Sequence, residues 1–332
     1  MTTGGQNQHP PAVVPAEEAA SKRSVIPSRK RGISVVRALR SLASLGMTRP
    51  VVPAQAETLP PGADAPALLE LHNVSLRFGG INALSDVTLS VRQGELFSVI
   101  GPNGAGKTSL LNCISGRYTP THGRVVFDGN DITGLAPSRR AALGIGRTFQ
   151  NLALFAHMTV LDNILVGRHH LLDYSFFAAP IYWLTRVRRE ELRHRRRVEE
   201  IIDFLDIQHV RKAVAGTLSY GLRKRVELAR AVALEPRLIL LDEPMAGMNR
   251  EEKEDMARYI VDLNEEWGVT VLMIEHDMQV VMDLSHRIAV LDFGRRIAEG
   301  TAQTVLGDER VRTAYLGSSA AALEPATQEL AA

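Results

Sequence analysis

Three short groups of residues have the types and spacing for phosphate chemistry. Gly101-Pro102-Asn103-Gly104-Ala105-Gly106-Lys107-Thr108 satisfies G-x-x-x-x-G-K-[ST], a P-loop, whose glycines let backbone N–H groups wrap around an anion at a helix N-terminus. Lys107 in this pattern reaches the β- and γ-phosphates as a point charge, and the Thr108 hydroxyl binds Mg²⁺. Ser109, the next residue, completes the nucleotide-binding candidates in this stretch. Leu238-Ile239-Leu240-Leu241-Asp242-Glu243 is an apolar run ending in two acids. Asp242 is placed to hold the Mg²⁺ shell, directly or through water, and Glu243 to polarise a water in line with the γ-phosphate as a general base. Adjacent buried acids with no such role would be costly. The third group, Glu275-His276-Asp277, follows the apolar run 269–274. A histidine after a strand is weak on its own; next to strands that end in the other two groups, it comes within reach of the γ-phosphate.

These groups need a frame. Residues 95–100 read as a short buried strand and 109–114 as the first turns of a helix, the strand–loop–helix context that a P-loop requires. Upstream, Leu69, Leu71, Val74, Leu76 and Phe78 alternate as in a strand pair with 87–91, and Gln93-Gly94 turns the chain. Phe78 precedes Gly79-Gly80 and is open to two readings, a ring stacked on a base or a core residue. Residues 123–129 form a further strand bounded by turn residues. Residues 152–217 read as helical, with Val198, Ile201, Ile202 and Leu205 on one face. Beside them runs a basic series of Arg186, Arg188, Arg189, Arg193, Arg195, Arg196 and Arg197, either a solvated face or a surface for acidic groups. Ser219 is a natural N-cap for a helix burying Leu222, Val226, Ala229 and Ala233. Arg223, Lys224 and Arg225 sit in its first turns, where the dipole disfavours cations; such an end suits a bound anion, or is tolerated at a surface. Asn249 and Glu252 form a capping box ahead of an apolar stripe of Met256, Ile260, Leu263 and Trp267. A strand over 287–293, a turn at Gly294-Arg295-Arg296 and a short helix over 310–316 close the pattern.

With 332 residues the chain has ample core, and it lacks the stretch of about 18 charge-free apolar residues that a membrane span needs. A single cysteine, Cys113, excludes an internal disulfide framework and reads as a small apolar residue on the helix after the P-loop. The formal charge of +2 is uneven: residues 1–66 hold eight Lys/Arg against four acids, leaving the rest at −2. By charge, the body is no nucleic-acid-binding domain. Residues 1–66 have few core formers and read as a disordered, basic extension. Within it, residues 33–46 form a basic amphipathic stretch, suited to an anionic membrane surface or to a solvated tail, with Met47 an alternative start. Residues 318–332 read as a disordered tail.

Taken in order, the P-loop, Gln150, Leu218-Ser219-Tyr220-Gly221, Asp242-Glu243 and His276 resemble the ATP-binding subunit of an ABC transporter, over about residues 68–316. The resemblance implies an α/β fold across 67–317: a P-loop NTPase core of mainly parallel strands, an antiparallel β subdomain, and an inserted α-helical subdomain at about 152–235. It implies ATP and Mg²⁺ as ligands. Phe78 corresponds to the aromatic that stacks on adenine. Gln150 corresponds to the glutamine that senses Mg²⁺ and the γ-phosphate and touches the membrane subunits. Ser219 and Gly221 match the signature that grips the γ-phosphate of ATP bound by the opposite subunit. Ala246-Gly247-Met248-Asn249 matches the D-loop, and His276 the switch histidine.

Arg147-Thr148-Phe149-Gln150-Asn151, the long insertion, Glu243-Pro244-Met245-Ala246-Gly247-Met248-Asn249, Ile274-Glu275-His276-Asp277-Met278 and Ala314-Tyr315-Leu316-Gly317 narrow the resemblance to importers of branched-chain amino acids, with urea and short-chain amide importers close by. That family implies a second ATPase subunit, identical or different, two membrane permease subunits and, indirectly, a periplasmic solute-binding protein. It implies no nucleic acid, and a site at the cytoplasmic face of the inner membrane. The common signature L-S-G-G-Q is departed from at Tyr220 and Leu222. Tyr220 occurs in this importer group; Leu222 removes a polar side chain near the partner's ribose and phosphates, which weakens that site without abolishing it. A soluble ABC ATPase acting on ribosomes or DNA is a rival, but such chains carry two cassettes or a long coiled coil, and neither is seen. A non-enzymatic subunit is opposed by the intact Lys107, Asp242, Glu243 and His276.

Overall fold

Two sheets carry the chain in the computed structural model, which describes residues 65–148, 152–171 and 180–316, and for 170, 180–190 and 316 the backbone alone. The first is antiparallel: β1 (Ala67–Phe78), β2 (Ile81–Arg92), β4 (His122–Phe127) and β5 (Asn130–Asp131), in the order β2-β1-β4-β5. The second, in the order β10-β9-β3-β8-β7-β6, contains β3 (Leu96–Ile100), β6 (Ile145–Arg147), β7 (Leu238–Asp242), β8 (Thr270–Ile274), β9 (Arg287–Asp292) and β10 (Arg295–Gly300). All its pairings are parallel except that of β10 with β9. Every residue of β3, β7 and β8 is buried, because both faces of the sheet are covered; these strands are therefore near-continuous apolar runs.

Parallel pairing has a direct consequence for chemistry. The carboxyl ends of β3, β8 and β7 emerge along one edge, so the P-loop, His276 and the Asp242-Glu243 pair come to the same side of the sheet.

The helices are α1 (Lys107–Ser115), α2 (Pro137–Ala142), α3 (Val160–Val166), α4 (Pro180–Phe204), α5 (Tyr220–Val232), α6 (Arg250–Glu265), α7 (Met278–Leu284), α8 (Ala302–Gly307) and α9 (Glu309–Leu316). Alternation along β7 divides the core. Leu238 and Leu240 join a cluster with α1 and the antiparallel sheet, while Ile239 and Leu241 join one built from α3 to α6. Val198, Ile201 and Ile202 of α4, with Leu205 just past its end, are fully buried in the latter, as their spacing predicts. A third cluster packs β9 against α7, α8 and α9. Asn249 and Glu252 make the expected reciprocal capping box at α6, and the Ser219 hydroxyl accepts from Leu222 N–H at the start of α5.

The chain end differs from the sequence reading. Gly294-Arg295-Arg296 is not a turn: the reversal falls at Phe293-Gly294, and Arg295 opens β10. As an edge strand β10 carries Arg295, Arg296 and Glu299, charges that blunt an exposed edge and mask the period-2 pattern. The short helix α8 also goes unsignalled in the sequence. In the basic series, Arg195 pairs with Glu191 at 3.0 Å, and Arg197 pairs with Glu200 at 2.7 Å and lies over Trp267, so this part is a laced helix face. The expectations for residues 1–64, including the amphipathic stretch, and for 318–332 lie outside the described residues. Among the described residues no helix is long and apolar enough to cross a membrane.

Candidate functional site

The P-loop turns at glycine because nothing else fits. Gly101 has φ of +149°, and a Cβ there would lie 2.1 Å from Leu291 O; Gly106, the N-cap of α1, has φ of +98°, and a Cβ there would lie 2.5 Å from Ala83 O. Pro102, Asn103, Gly104 and Ala105 complete the wrap. Lys107 is buried, and its Nζ donates to the carbonyls of Gly101 at 2.7 Å and Pro102 at 3.0 Å. Burial lowers its pKa, opposed by the charges of Glu243 and Asp242. The ammonium thus folds into the loop, facing the acid pair. Thr108 is exposed and Ser109 half-buried at the start of α1. From the far end of the chain, the Tyr315 hydroxyl hydrogen-bonds the Gly101 backbone, and burial pushes this phenol up to about 12.

Asp242 ends β7 and is 1% exposed. Its Oδ2 accepts from Arg147 Nη2 at 3.2 Å, while Oδ1 is buried with no hydrogen-bond partner among the described residues. Burial raises its pKa, opposed by Arg147. An orphaned carboxylate oxygen is a hard donor of the kind that fits a divalent cation. Glu243 follows with φ of +50°, rare for a residue with a side chain, and its Oε1 lies 2.7 Å from His276 Nε2. Glu243 and His276 thus meet directly, whereas the sequence placed His276 only within reach of the γ-phosphate.

The signature segment behaves partly as expected. Ser219 caps α5, and a Cβ on Gly221 would fall 2.1 Å from Glu252 Oε1, so the carboxylate of the next helix lies against this helix start. Tyr220 packs against Gly247, where a Cβ would be 3.0 Å from its ring. Leu222 points into the cluster formed by α3 to α6. Arg225 is paired with Asp255 at 2.7 Å and Lys224 is buried, so two of the three cations of the first turns are engaged within the chain.

Phe78 is 46% exposed and makes an edge-to-face contact with Tyr118 at 5.1 Å, which removes the core reading and leaves a ring face open. Gln150 lies outside the described residues, but β6, three residues before it, is informative. Arg147 Nη1 donates to Asn112 Oδ1 and Ser115 Oγ, each at 2.7 Å, tying β6 and Asp242 to the P-loop helix. Two positions carry more than their sequence context announced: Arg147, noted only as part of a motif, and Glu275. The buried Glu275 accepts from Met245 N–H at 2.9 Å and His276 N–H at 3.1 Å, so it joins the segments after β7 and β8, and burial raises its pKa. Their signal was an Arg and a Glu flanking apolar runs at strand ends.

A family profile described as "ABC transporter" matches residues 84–246, and one described as "Branched-chain amino acid ATP-binding cassette transporter" matches residues 295–321. The high-affinity branched-chain amino acid transport ATP-binding protein BraF of Pseudomonas aeruginosa is 40% identical over 252 residues, covering 76% of this chain and 98% of that protein. The ADP conformation of MJ1267, an ATP-binding cassette of an ABC transporter, superposes with a TM-score of 0.66 at 34% identity, covering 76% of this chain and 100% of that one. The dimeric post-hydrolysis state of the ATP-binding cassette MJ0796, bound to ADP and Pi, superposes with a TM-score of 0.59 at 28% identity, covering 70% and 98%.

Proposed function

This chain belongs to the ABC transporter family of ATP-binding proteins, and from that premise we propose that it is the ATP-hydrolysing subunit of an importer of branched-chain amino acids. The observation that carries hydrolysis is the Glu243–His276 contact of 2.7 Å on the same sheet edge as the P-loop. The solute is supported by the relative's name and by the profile matched at residues 295–321.

ATP lies with its phosphates in the loop 101–108 and its base against Phe78. Lys107 exchanges its two carbonyl partners for the β- and γ-phosphates, a trade its position inside the loop allows. Mg²⁺, when bound, neutralises charge on the phosphate oxygens; Thr108 and Asp242 are the residues to hold it, with Gln150 as a sensor. Glu243 Oε accepts the proton of the attacking water, and His276 orients that carboxylate and faces the charge building on the γ-phosphate. Ser219, Gly221 and the N-terminus of α5 grip the γ-phosphate of a neighbouring subunit's ATP, so two subunits close head to tail over two nucleotides. Closure moves the 152–235 helical region against two permease subunits at the cytoplasmic membrane face. A solute-binding protein delivers the amino acid to them.

Glu243→Gln tests this. Hydrolysis by the purified subunit should fall by about 100-fold or more, while ATP affinity stays within a few-fold. Unimpaired turnover would remove the assignment, and the membrane proteins that co-purify identify the solute path.

A further inference from the structure

The reaction outlined above uses none of the three cations in the first turns of α5. Arg225 is accounted for by Asp255 and Tyr259. Lys224 is harder to explain. It is 4% exposed, and its Nζ donates to the main-chain carbonyl of Glu243 at 3.3 Å, with the Tyr220 ring 5.9 Å away. Burying an ammonium costs folding free energy that an aliphatic side chain of the same length would not, a cost that one carbonyl, an aromatic ring and the charge of Asp242 offset here.

What Lys224 touches is Glu243, the non-glycine site residue with a left-handed backbone among the described residues. Regular continuation of β7 would send adjacent Asp242 and Glu243 to opposite faces. The left-handed turn at Glu243, φ +50°, breaks that alternation, and such a conformation persists in a non-glycine residue only where its surroundings hold it. Three elements do so. Glu243 N–H donates to Ile274 O at 2.9 Å, its carboxylate meets His276 at 2.7 Å, and its carbonyl receives Lys224, together with Ala246 N–H at 3.3 Å. Of these holds, only Lys224 comes from the helix that carries Ser219 and Gly221.

Granting the ATPase reading above, we infer that Lys224 is a positioning residue: it fixes the main-chain turn that aims Glu243, so the helix that completes a neighbour's site also sets the base of its own subunit. Tyr220, packed against Gly247 four residues beyond Glu243, adds a second link along the same route.

The test uses the full chain and ATP turnover over a range of ATP concentrations. Lys224→Met should lower kcat by about 10-fold with KM for ATP within about two-fold, and Lys224→Ala, measured alongside, carries the same test if the Met variant does not fold. Lys224→Gln, which keeps a donor, should recover kcat to within about three-fold of wild type. In the Glu243→Gln background, Lys224→Met should change the slow residual rate by less than about two-fold, because the carboxylate being positioned is gone. Wild-type kcat in both apolar variants, a raised KM at unchanged kcat, or a full additional loss in the Glu243→Gln background would overturn the inference. A wild-type chain without ATPase activity would instead remove the reading on which it rests.

Discussion

Lys107, Asp242, Glu243 and His276 stood out in the sequence as candidates because the proposed chemistry demands particular residue types at particular distances from glycines and strand ends, and the fold brings them to one sheet edge. Lys224, Arg147 and Glu275 did not stand out, since their partners lie across the fold: Arg147 meets Asp242, 95 positions away, Glu275 meets the backbone of Met245, and Lys224 meets a main-chain atom that no side-chain pattern encodes. Cys113 is the converse, a residue read correctly as structural. It is fully buried, and burial pushes its thiol up to about 11, opposed by the nearby Arg140. Thiol alkylation at pH 8 should therefore be negligible in the native protein, with about one thiol in a thousand ionised, and rapid in urea. Because the folded pKa is the higher, the stability tied to the protonated thiol is whole below the unfolded value of 9.0 and declines as pH rises toward 11. Fast native labelling would contradict the burial.

The elements divide by how far packing overrides local signal. Strands β3, β7 and β8 announced themselves as apolar runs because both faces are covered, and α6 announced its start through Asn249 and Glu252. β10 did not, because one side of an edge strand faces solvent and its charges read as a turn. The capping box also has a measurable worth. Asn249→Ala removes the acceptor for Glu252 N–H at 2.9 Å and should lower the unfolding free energy by about 1 kcal/mol in a urea titration. No change beyond error would mean that α6 is held by its buried stripe alone. Arg140 does comparable service under the P-loop helix: it is 1% exposed and donates to the carbonyls of Cys113 at 2.6 Å and Ile114 at 2.8 Å, satisfying the end of α1 opposite the phosphate site. The P-loop thus rests on a helix secured at its far end.

At the scale of the whole molecule, the P-loop, Asp242, Glu243 and His276 lie along one sheet edge. In the function proposed above, Ser219 and Gly221 come to that site from a second copy or a paralogous subunit, in keeping with the dimeric cassette to which the fold is similar. Complementation between two inactive variants tests this most directly. Glu243→Gln removes the base and Ser219→Arg blocks the signature. In a mixed dimer one composite site has an intact base from one subunit and an intact signature from the other. Each variant alone should be nearly inactive, and an equal mixture should regain about a quarter of wild-type ATP turnover, since half the dimers are mixed and each holds one good site of two. A mixture as inactive as its parents, with mixed dimers present, would contradict a site shared between subunits.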